Sequence, residues 1–503
     1  MILGVNSFTH DSAIALINNV EPILLIEEER ISRRKHHDGF IFDGSPPNNV
    51  INLVKKNYRY DMIAHSSNID YSAMRSNIPQ MKFLDFAKSL DPNLKRTKFF
   101  NHHLCHAASA FFCSNYNTAY IITLDSRGDG LSLTISFGQK NHIRKIFEIP
   151  ARTSICAIYS YVSELLGLGK RNEGSLMSLS AYGEENLTPS LFLWNGKSIN
   201  INSNEILQLA KKARKFKELS NIAYYVQKSF EETVLSIIND ICIDRKIKNL
   251  CLAGGGFLNC RLNMAINDTK RWDKIYIPPF AGDSGTALGA ALLGVNEPSN
   301  FKLSNSFLGT RYSRQVIGKK LSTYKIKHNE TYPKQIARLI AKGKVIAIYY
   351  GAMEFGPRAL GHRSIIADPR KISSKTKLNS IKKRKQWRPI APAVLHDYGL
   401  EWFDNYSFSP FMTRAFKIRE DKAKIVSAIV HIDNSSRLQS VKSDDGFFYD
   451  LLCAFNSLTG IPLLCNTSFN INSPIVQSPE DALSTFFNSA IDCLYIEGWL
   501  ITK

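Results

Sequence analysis

Long apolar runs are missing from these 503 residues: the most apolar stretches, such as 119–124 and 461–465, fall far short of the roughly 20 residues that a membrane-spanning helix needs. The opening MILGVNSFTHDSA has neither a basic stretch nor a long apolar segment behind it, so no secretory signal is expected. Cysteine is scarce and unpatterned. There are nine, an odd number, and none are spaced C-x-x-C, which argues against a disulfide framework and against a thiolate zinc site. The expected location is therefore the reducing cytoplasm. Acidic residues are outnumbered, 44 Asp and Glu against 64 Lys and Arg, for a net charge of +20. Such an excess can serve nucleic acid, an anionic membrane face or phosphorylated substrates, although scattered runs such as RKFKE and KKNYRY read as solvated surface. Low-complexity tracts, heptads and short repeats are also lacking.

What is present is ordinary globular material, 44% apolar and 21% charged, enough for two to four domains. Strands are expected at Ile2–Val5, Ser12–Ile17 and Ile23–Ile26, joined by turns at Asn6–His10 and Asn18-Asn19. Ser45-Pro46 reads as a helix start running toward Lys56. Strands follow at 119–124 and 131–137, and apolar residues from Val226 to Ile241 recur at helical spacing. Further strands are expected at Leu250–Ala253 and 274–277, then an Ala/Gly-rich helix from Ser284. The polar, turn-rich stretch 296–313 marks a boundary between domains at 1–300 and 314–503. The second opens with a helix at Thr331–Lys342 and a strand at Lys344–Tyr350.

Four groups of residues could carry chemistry. In NHHLCHAASAFF, His102 and His106 stand four apart, on one face of a helix, and two imidazoles so placed can share a metal ion. Asp125 and Asp283 end or follow apolar strands and could complete a His2Asp2 set suited to iron(II), manganese or zinc. A capping or half-buried histidine pair is the plainer reading of the same spacing, and His103 competes with His102. In AGGGFLN, Gly254, Gly255 and Asn259 form either a tight packing turn or a loop that meets a nucleotide; the Lys-Ser/Thr ending of a phosphate-binding loop is missing. Lys35, in the charge run EEERISRRKHHDGF, could reach a phosphate, and His10 in the turn NSFTHDSA has the pKa range of a general base. Finally, Arg358, His362 and Arg363 in EFGPRALGHRSI, Lys382, Arg384 and Arg388 in KKRKQWRP, Arg437 and Ser468 could converge on phosphates, which guanidinium groups grip bidentately.

Taken in order, GVNSFTHDSAIALI, EEERISRRKH, HHLCHAASAFF, LDSRGDG, LAGGGFLN, PPFAGDSGTALGAAL, EFGPRALGHRSI and NTSFN resemble the O-carbamoyltransferase family across nearly the whole chain. That family includes the nodulation-factor, tobramycin and cephamycin carbamoyltransferases. The resemblance implies an α/β protein, with an N-terminal actin/sugar-kinase-like (ASKHA) domain followed by a C-terminal YrdC-like domain. It implies that carbamoyl phosphate and ATP give a carbamoyl-adenylate in the C-terminal domain, and that a hydroxyl of a small molecule or sugar then takes the carbamoyl group in the N-terminal domain. His102, His106, Asp125 and Asp283 would hold iron(II) or another divalent metal. His10 and Lys35 would be catalytic. Gly254, Gly255 and Asn259 would touch the nucleotide, and Arg358, Lys382, Arg384, Arg388, Arg437 and Ser468 would bind carbamoyl phosphate and ATP. No membrane or nucleic-acid partner is expected, and a homodimer is allowed.

The sequence departs from the family pattern at Ser175 and Ser178, where Lys and Gly are usual, at Lys385 in place of Glu, and at Asn472-Ser473 in place of Gly-Glu. The alternatives are a tRNA threonylcarbamoyl-type transferase and a catalytically dead nucleic-acid-binding module.

Overall fold

The structure, a computed structural model, describes residues 1–7, 9, 11–36, 48–67, 80–184 and 191–503. His10 and the expected helix start at Ser45-Pro46 lie outside the described residues. The chain forms a mixed α/β fold in two compact units: Met1–Ser32 with His36–Ser304, and Arg33–Lys35 with Asn305–Lys503. Among the described residues no helix is long and apolar enough to cross a membrane. None of the nine cysteines forms a disulfide, and eight are buried.

The first unit contains two five-stranded sheets built on one plan. In the first, the order is Glu21–Glu27, Ala13–Asn18, Ile2–Asn6, Met62–His65, Thr97–Phe99. Its first three strands are antiparallel and the last two join in parallel. In the second sheet, His142–Pro150, Leu131–Gln139 and Thr118–Gly128 are antiparallel, and Asn249–Ala253 and Lys274–Tyr276 continue in parallel. The turn after Asn6 and the segment from Asp125 thus leave equivalent strands of the two sheets. Leu3, Val5, Ile14, Leu16, Leu24 and Ile26 pack against Val50, Ile51, Val54 and Phe86 to form the core of the first sheet.

Two short helices sit against these sheets and against each other. His102–Phe111 packs on the second sheet and Thr286–Gly294 on the first. Their approach is close because of glycine: a Cβ on Gly289 would lie 1.8 Å from the Cys105 carbonyl oxygen, and one on Gly4 would lie 1.9 Å from that of Ala287. No other residue permits backbone packing at this distance. The small-residue run of the Thr286–Gly294 helix thereby brings the preceding Asp283 toward the His102–Phe111 helix.

The second unit carries an eight-stranded mixed sheet. Its order is Asn329–Glu330, Trp499–Thr502, Cys493–Ile496, Ile346–Tyr349, Arg363–Ala367, Leu463–Ser468, Ala391–Leu395, Gln439–Val441. The central strand residues Ile346, Ile348, Ile365 and Leu464 are fully buried, with the helices Pro333–Ala341 and Phe447–Thr459 packed together in the same core. Residues 305–310, part of the polar boundary stretch, belong to this unit. Phe307 stacks on His362 at 3.5 Å, and Gly309 N–H donates to the Met353 carbonyl at 2.9 Å.

Candidate metal centre and anion pocket

Asn101 caps the His102–Phe111 helix, its side chain accepting from Leu104 N–H at 3.1 Å. The helical repeat then stacks His102 and His106 on one face. Their Nε2 atoms lie 3.1 Å apart. Asp125 Oδ2 is 3.5 Å from His102 Nε2 and 3.2 Å from His106 Nε2, and Asp283 Oδ1 is 3.3 and 3.5 Å from the same two atoms. All four ligand atoms fall within 4.8 Å of one another, and all four residues are buried.

The arrangement fits a metal ion. Ligands held about 2.1 Å from a common centre at near-tetrahedral or octahedral angles lie about 3.0–3.4 Å from each other, close to the 3.1–3.5 Å that separates the two imidazole nitrogens from each other and from the carboxylate oxygens. Burial and the neighbouring Asp283 raise the Asp125 carboxyl, yet hydrogen bonds with His102 and His106 draw it down to about 2. It is therefore ionised and available as a ligand. Both Nδ1 atoms are buried without a hydrogen-bond partner among the described residues, so backbone clamping rather than a carboxylate behind each ring fixes the pair. Asp129 provides that clamp: its Oδ2 accepts from His102 N–H at 2.7 Å and its Oδ1 from Ser67 Oγ at 3.2 Å. Sequence reasoning passed over Asp129, although it lies in the quoted LDSRGDG.

His103 turns away from this centre. Its Nδ1 is 2.6 Å from Thr123 Oγ1 and its Nε2 is 3.2 Å from the Leu131 carbonyl, while burial, chiefly, pushes its pKa down to about 3.

The glycine run serves close packing. Gly254 has φ +96°, and a Cβ there would lie 2.2 Å from the Leu124 carbonyl oxygen, one residue before Asp125. Gly255 faces the Asp125 carboxylate, with a hypothetical Cβ 3.4 Å from Oδ1. We expect Gly254→Ala to destabilise the protein by about 2–5 kcal/mol, combining backbone strain with overpacking. It should also weaken metal binding, because Leu124 and Asp125 must shift together; denaturation midpoints and metal titration check both effects. Asn259 caps the Cys260–Asp268 helix through Leu262 N–H at 3.1 Å and exchanges hydrogen bonds with Gln227 at 2.9 and 3.1 Å.

In the second unit, Lys382, Arg384, Arg388 and Arg437 come together. Among the described residues no carboxylate forms an ion pair with Lys382, Arg384 or Arg388. Burial first, then Arg388 and Arg437, push Arg384 down to about 9; burial and Arg437 push Arg388 down to about 10. Half-buried cations that repel one another, with no carboxylate ion-paired to Arg384 or Arg388 among the described residues, are chemically suited to an anion. Asn379 holds the loop. It accepts from Arg384 Nε at 2.6 Å and donates to the Gln386 and Arg388 carbonyls at 3.3 and 3.0 Å.

Lys382 has a different posture. Burial, then Arg384, Lys35 and Arg388, press its pKa well below the lysine range. Its Nζ nevertheless donates to the Ser468 carbonyl at 2.7 Å, the Asn470 carbonyl at 2.6 Å and Asn470 Oδ1 at 2.5 Å. These oxygens only accept, so all three ammonium hydrogens are engaged in fixing the Ser468–Asn470 turn. Asn472, at φ 53°, takes the left-handed conformation that asparagine tolerates best after glycine, so the departure from Gly preserves the turn. Lys385 is exposed, and Ser178 bonds back to the Gly174 carbonyl of its own helix at 2.7 Å.

The half-buried Arg358 sits on a loop suspended from Glu354, which sequence reasoning also missed. Glu354 Oε1 accepts from the N–H groups of Leu360, His362 and Arg363 at 2.8, 2.9 and 3.0 Å. Gln439 and Asn466 hold the Leu360 and Ala359 carbonyls at 2.8 and 3.3 Å, tying this loop to the strand Gln439–Val441, which begins two residues after Arg437, and to the strand that carries Ser468. Arg363 itself is fully buried, stacked 3.6 Å over Tyr349 and bonded to the Tyr350 carbonyl at 2.7 Å. It is a core residue rather than part of the pocket.

Two family models match this chain: "Carbamoyltransferase N-terminus" at residues 1–86 and 52–292, and "Carbamoyltransferase C-terminus" at residues 337–503. An uncharacterised protein, MJ1051, of Methanocaldococcus jannaschii is 32% identical over 100% of both chains. Nodulation protein NolNO of Sinorhizobium fredii is 31% identical over 99% of this chain and 80% of its own. Nodulation protein NolO of Bradyrhizobium diazoefficiens is 32% identical over 80% of this chain and 79% of its own. Among solved structures, a crystal structure of T. kodakarensis HypF aligns at TM-score 0.40 and 13% identity, covering 58% of this chain and 47% of that one.

Proposed function

The chain belongs to the carbamoyltransferase family, and on that premise we propose that it is an O-carbamoyltransferase that activates the carbamoyl group as an adenylate before transferring it. In this reading the first unit is an actin/sugar-kinase-like transfer domain and the second a YrdC-like activating domain. The observation that carries the reading is the presence of two chemically different sites in two separate units. One is a cation cluster in which, among the described residues, no carboxylate forms an ion pair with Lys382, Arg384 or Arg388; the other is a buried His2Asp2 set.

Carbamoyl phosphate and water give carbamate and phosphate. A carbamate oxygen then attacks the α-phosphorus of ATP, the bond to the β-phosphate oxygen breaks, and pyrophosphate leaves. Arg358, Arg384, Arg388 and Arg437 bind these phosphates and offset the charge that develops on them. Lys382 holds Ser468 in place. In the first unit the acceptor hydroxyl attacks the carbamoyl carbon and AMP leaves, with His10 taking the hydroxyl proton. His102, His106, Asp125 and Asp283 would hold a divalent ion, iron(II) by the family resemblance, which when bound supplies Lewis-acid polarisation of phosphate or carbamoyl oxygen. Gly255, beside Asp125, leaves room for the nucleotide to approach the backbone. The acceptor is a hydroxyl of a small molecule or sugar.

The test is carbamoyl-phosphate-dependent pyrophosphate release from ATP by the purified protein with magnesium, with and without iron(II). We expect release that requires both substrates and does not require iron. No release from well-folded protein, either alone or with sugar or tRNA acceptors present, would remove the adenylate route.

A further inference from the structure

Three residues of the charge run EEERISRRKHHDGF belong to the second unit although they lie at positions 33–35, between stretches of the first. One side chain fastens them there. Arg33 Nη1 donates to the Ile475 carbonyl at 2.7 Å, Nη2 to the Pro474 carbonyl at 2.8 Å, and Nε lies 3.3 Å from Asp481 Oδ1. The docking point is itself rigid. Asp481 Oδ2 accepts from the N–H groups of Gln477 and Ser478 at 3.1 and 3.0 Å, capping the Pro479–Phe487 helix and leaving Oδ1 for the guanidinium.

The backbone on either side of Lys35 is tightly bent. Arg33 and His36 have φ 60° and 57°, in the left-handed region that L-residues keep only when their surroundings enforce it. His36 N–H is held by Glu29 Oε2 at 2.9 Å. Between these two fixed points stands Lys35, whose charge acts on the buried Lys382 alongside Arg384 and Arg388.

We propose that Arg33 is a positioning residue: by gripping the 474–475 carbonyls and Asp481, it sets the Lys35 ammonium at the edge of the Arg384–Arg388–Arg437 pocket, where it meets the phosphates of the bound substrate. The inference rests on reading that cluster as the phosphate site. A guanidinium is required, since three donors in a planar fork address two carbonyls and a carboxylate at once, and a lysine can satisfy only part of that set.

The experiment measures binding of inorganic pyrophosphate to the full-length protein by calorimetry, beside the pyrophosphate-release assay. Arg33→Ala and Lys35→Ala should each weaken pyrophosphate binding about tenfold. The double variant should be no weaker than Lys35→Ala alone, because residues acting through one another are non-additive. Arg33→Lys should behave as Arg33→Ala, and metal content should be unchanged in all four. Wild-type affinity in Arg33→Ala, or penalties that multiply in the double variant, would overturn the proposal. No pyrophosphate binding by the wild type would overturn both it and the pocket reading. Binding without turnover would remove the adenylate route and leave the Arg33 assignment to be decided by the binding series.

Discussion

Replacing His106 by alanine should abolish transfer to the acceptor while leaving carbamoyl-adenylate formation intact. His106 supplies one of four ligand atoms in a buried set, its Nε2 lying 3.1–3.5 Å from the other three. Removing it leaves two carboxylates facing one imidazole. Even changes behind a metal ligand cost about 10–100-fold in affinity, so loss of the ligand itself should exceed about 100-fold. Transfer should fall by about 1,000-fold or more if polarisation of the reacting group depends on that ion. Pyrophosphate release should stay within about twofold, since the cation cluster lies in the other unit. Metal analysis of the purified variant and separate assays of the two half-reactions check this. His103→Gln is the control: His103 bonds to Thr123 and to the Leu131 carbonyl, so that variant should keep the metal. Loss of both half-reactions in a well-folded His106→Ala protein would contradict the two-site scheme.

Arg388→Ala should have the converse effect. It removes a guanidinium from a pocket in which burial and Arg437 already depress its pKa to about 10. A cation whose folded-state pKa lies below its unfolded value opposes folding at neutral pH, where it is charged in both states. The ligand-free variant should therefore melt no lower than the wild type. Pyrophosphate release should drop by about 100-fold or more, the cost of one donor to developing charge, and metal content should be unchanged. The stabilisation that ligand confers, about 2.7 kcal/mol at 100 times its dissociation constant, should shrink accordingly. Calorimetry with and without pyrophosphate, together with the release assay, measures each quantity. A strongly destabilised ligand-free variant would mean that Arg388 is a structural tie like Arg363.

Much of this was legible in one dimension wherever the signal is local. The buried face of the Phe216–Ile241 helix repeats at helical spacing, and the strand cores at Thr118–Gly128 and Asn249–Ala253 are continuous apolar runs. Met62–His65 and Thr97–Phe99 were not anticipated because four- and three-residue strands carry too little pattern. The strand His142–Pro150 hid because its exposed residues include His142, Arg144, Lys145 and Glu148. Parallel and antiparallel neighbours, and the shared plan of the two five-stranded sheets, depend on pairings between segments distant in the chain.

The same division runs through the sites. The i, i+4 spacing of His102 and His106 by itself determined that they share a helix face, and the absence of C-x-x-C argued against a thiolate centre. Whether two strand-end aspartates reach that face is a matter of closure. Gly4 and Gly289 had to let the Thr286–Gly294 helix come within backbone contact before Asp283 could meet Asp125. Tertiary structure also chose His102 over His103, by giving His103 two partners of its own. It turned Lys382 inward onto Ser468 and Asn470, and it assigned Lys35 to the second unit through Arg33. Composition and periodicity specify what a residue can do within a turn or two of its own chain. Which groups share a pocket is decided by the hydrogen bonds and close packing that join segments hundreds of residues apart.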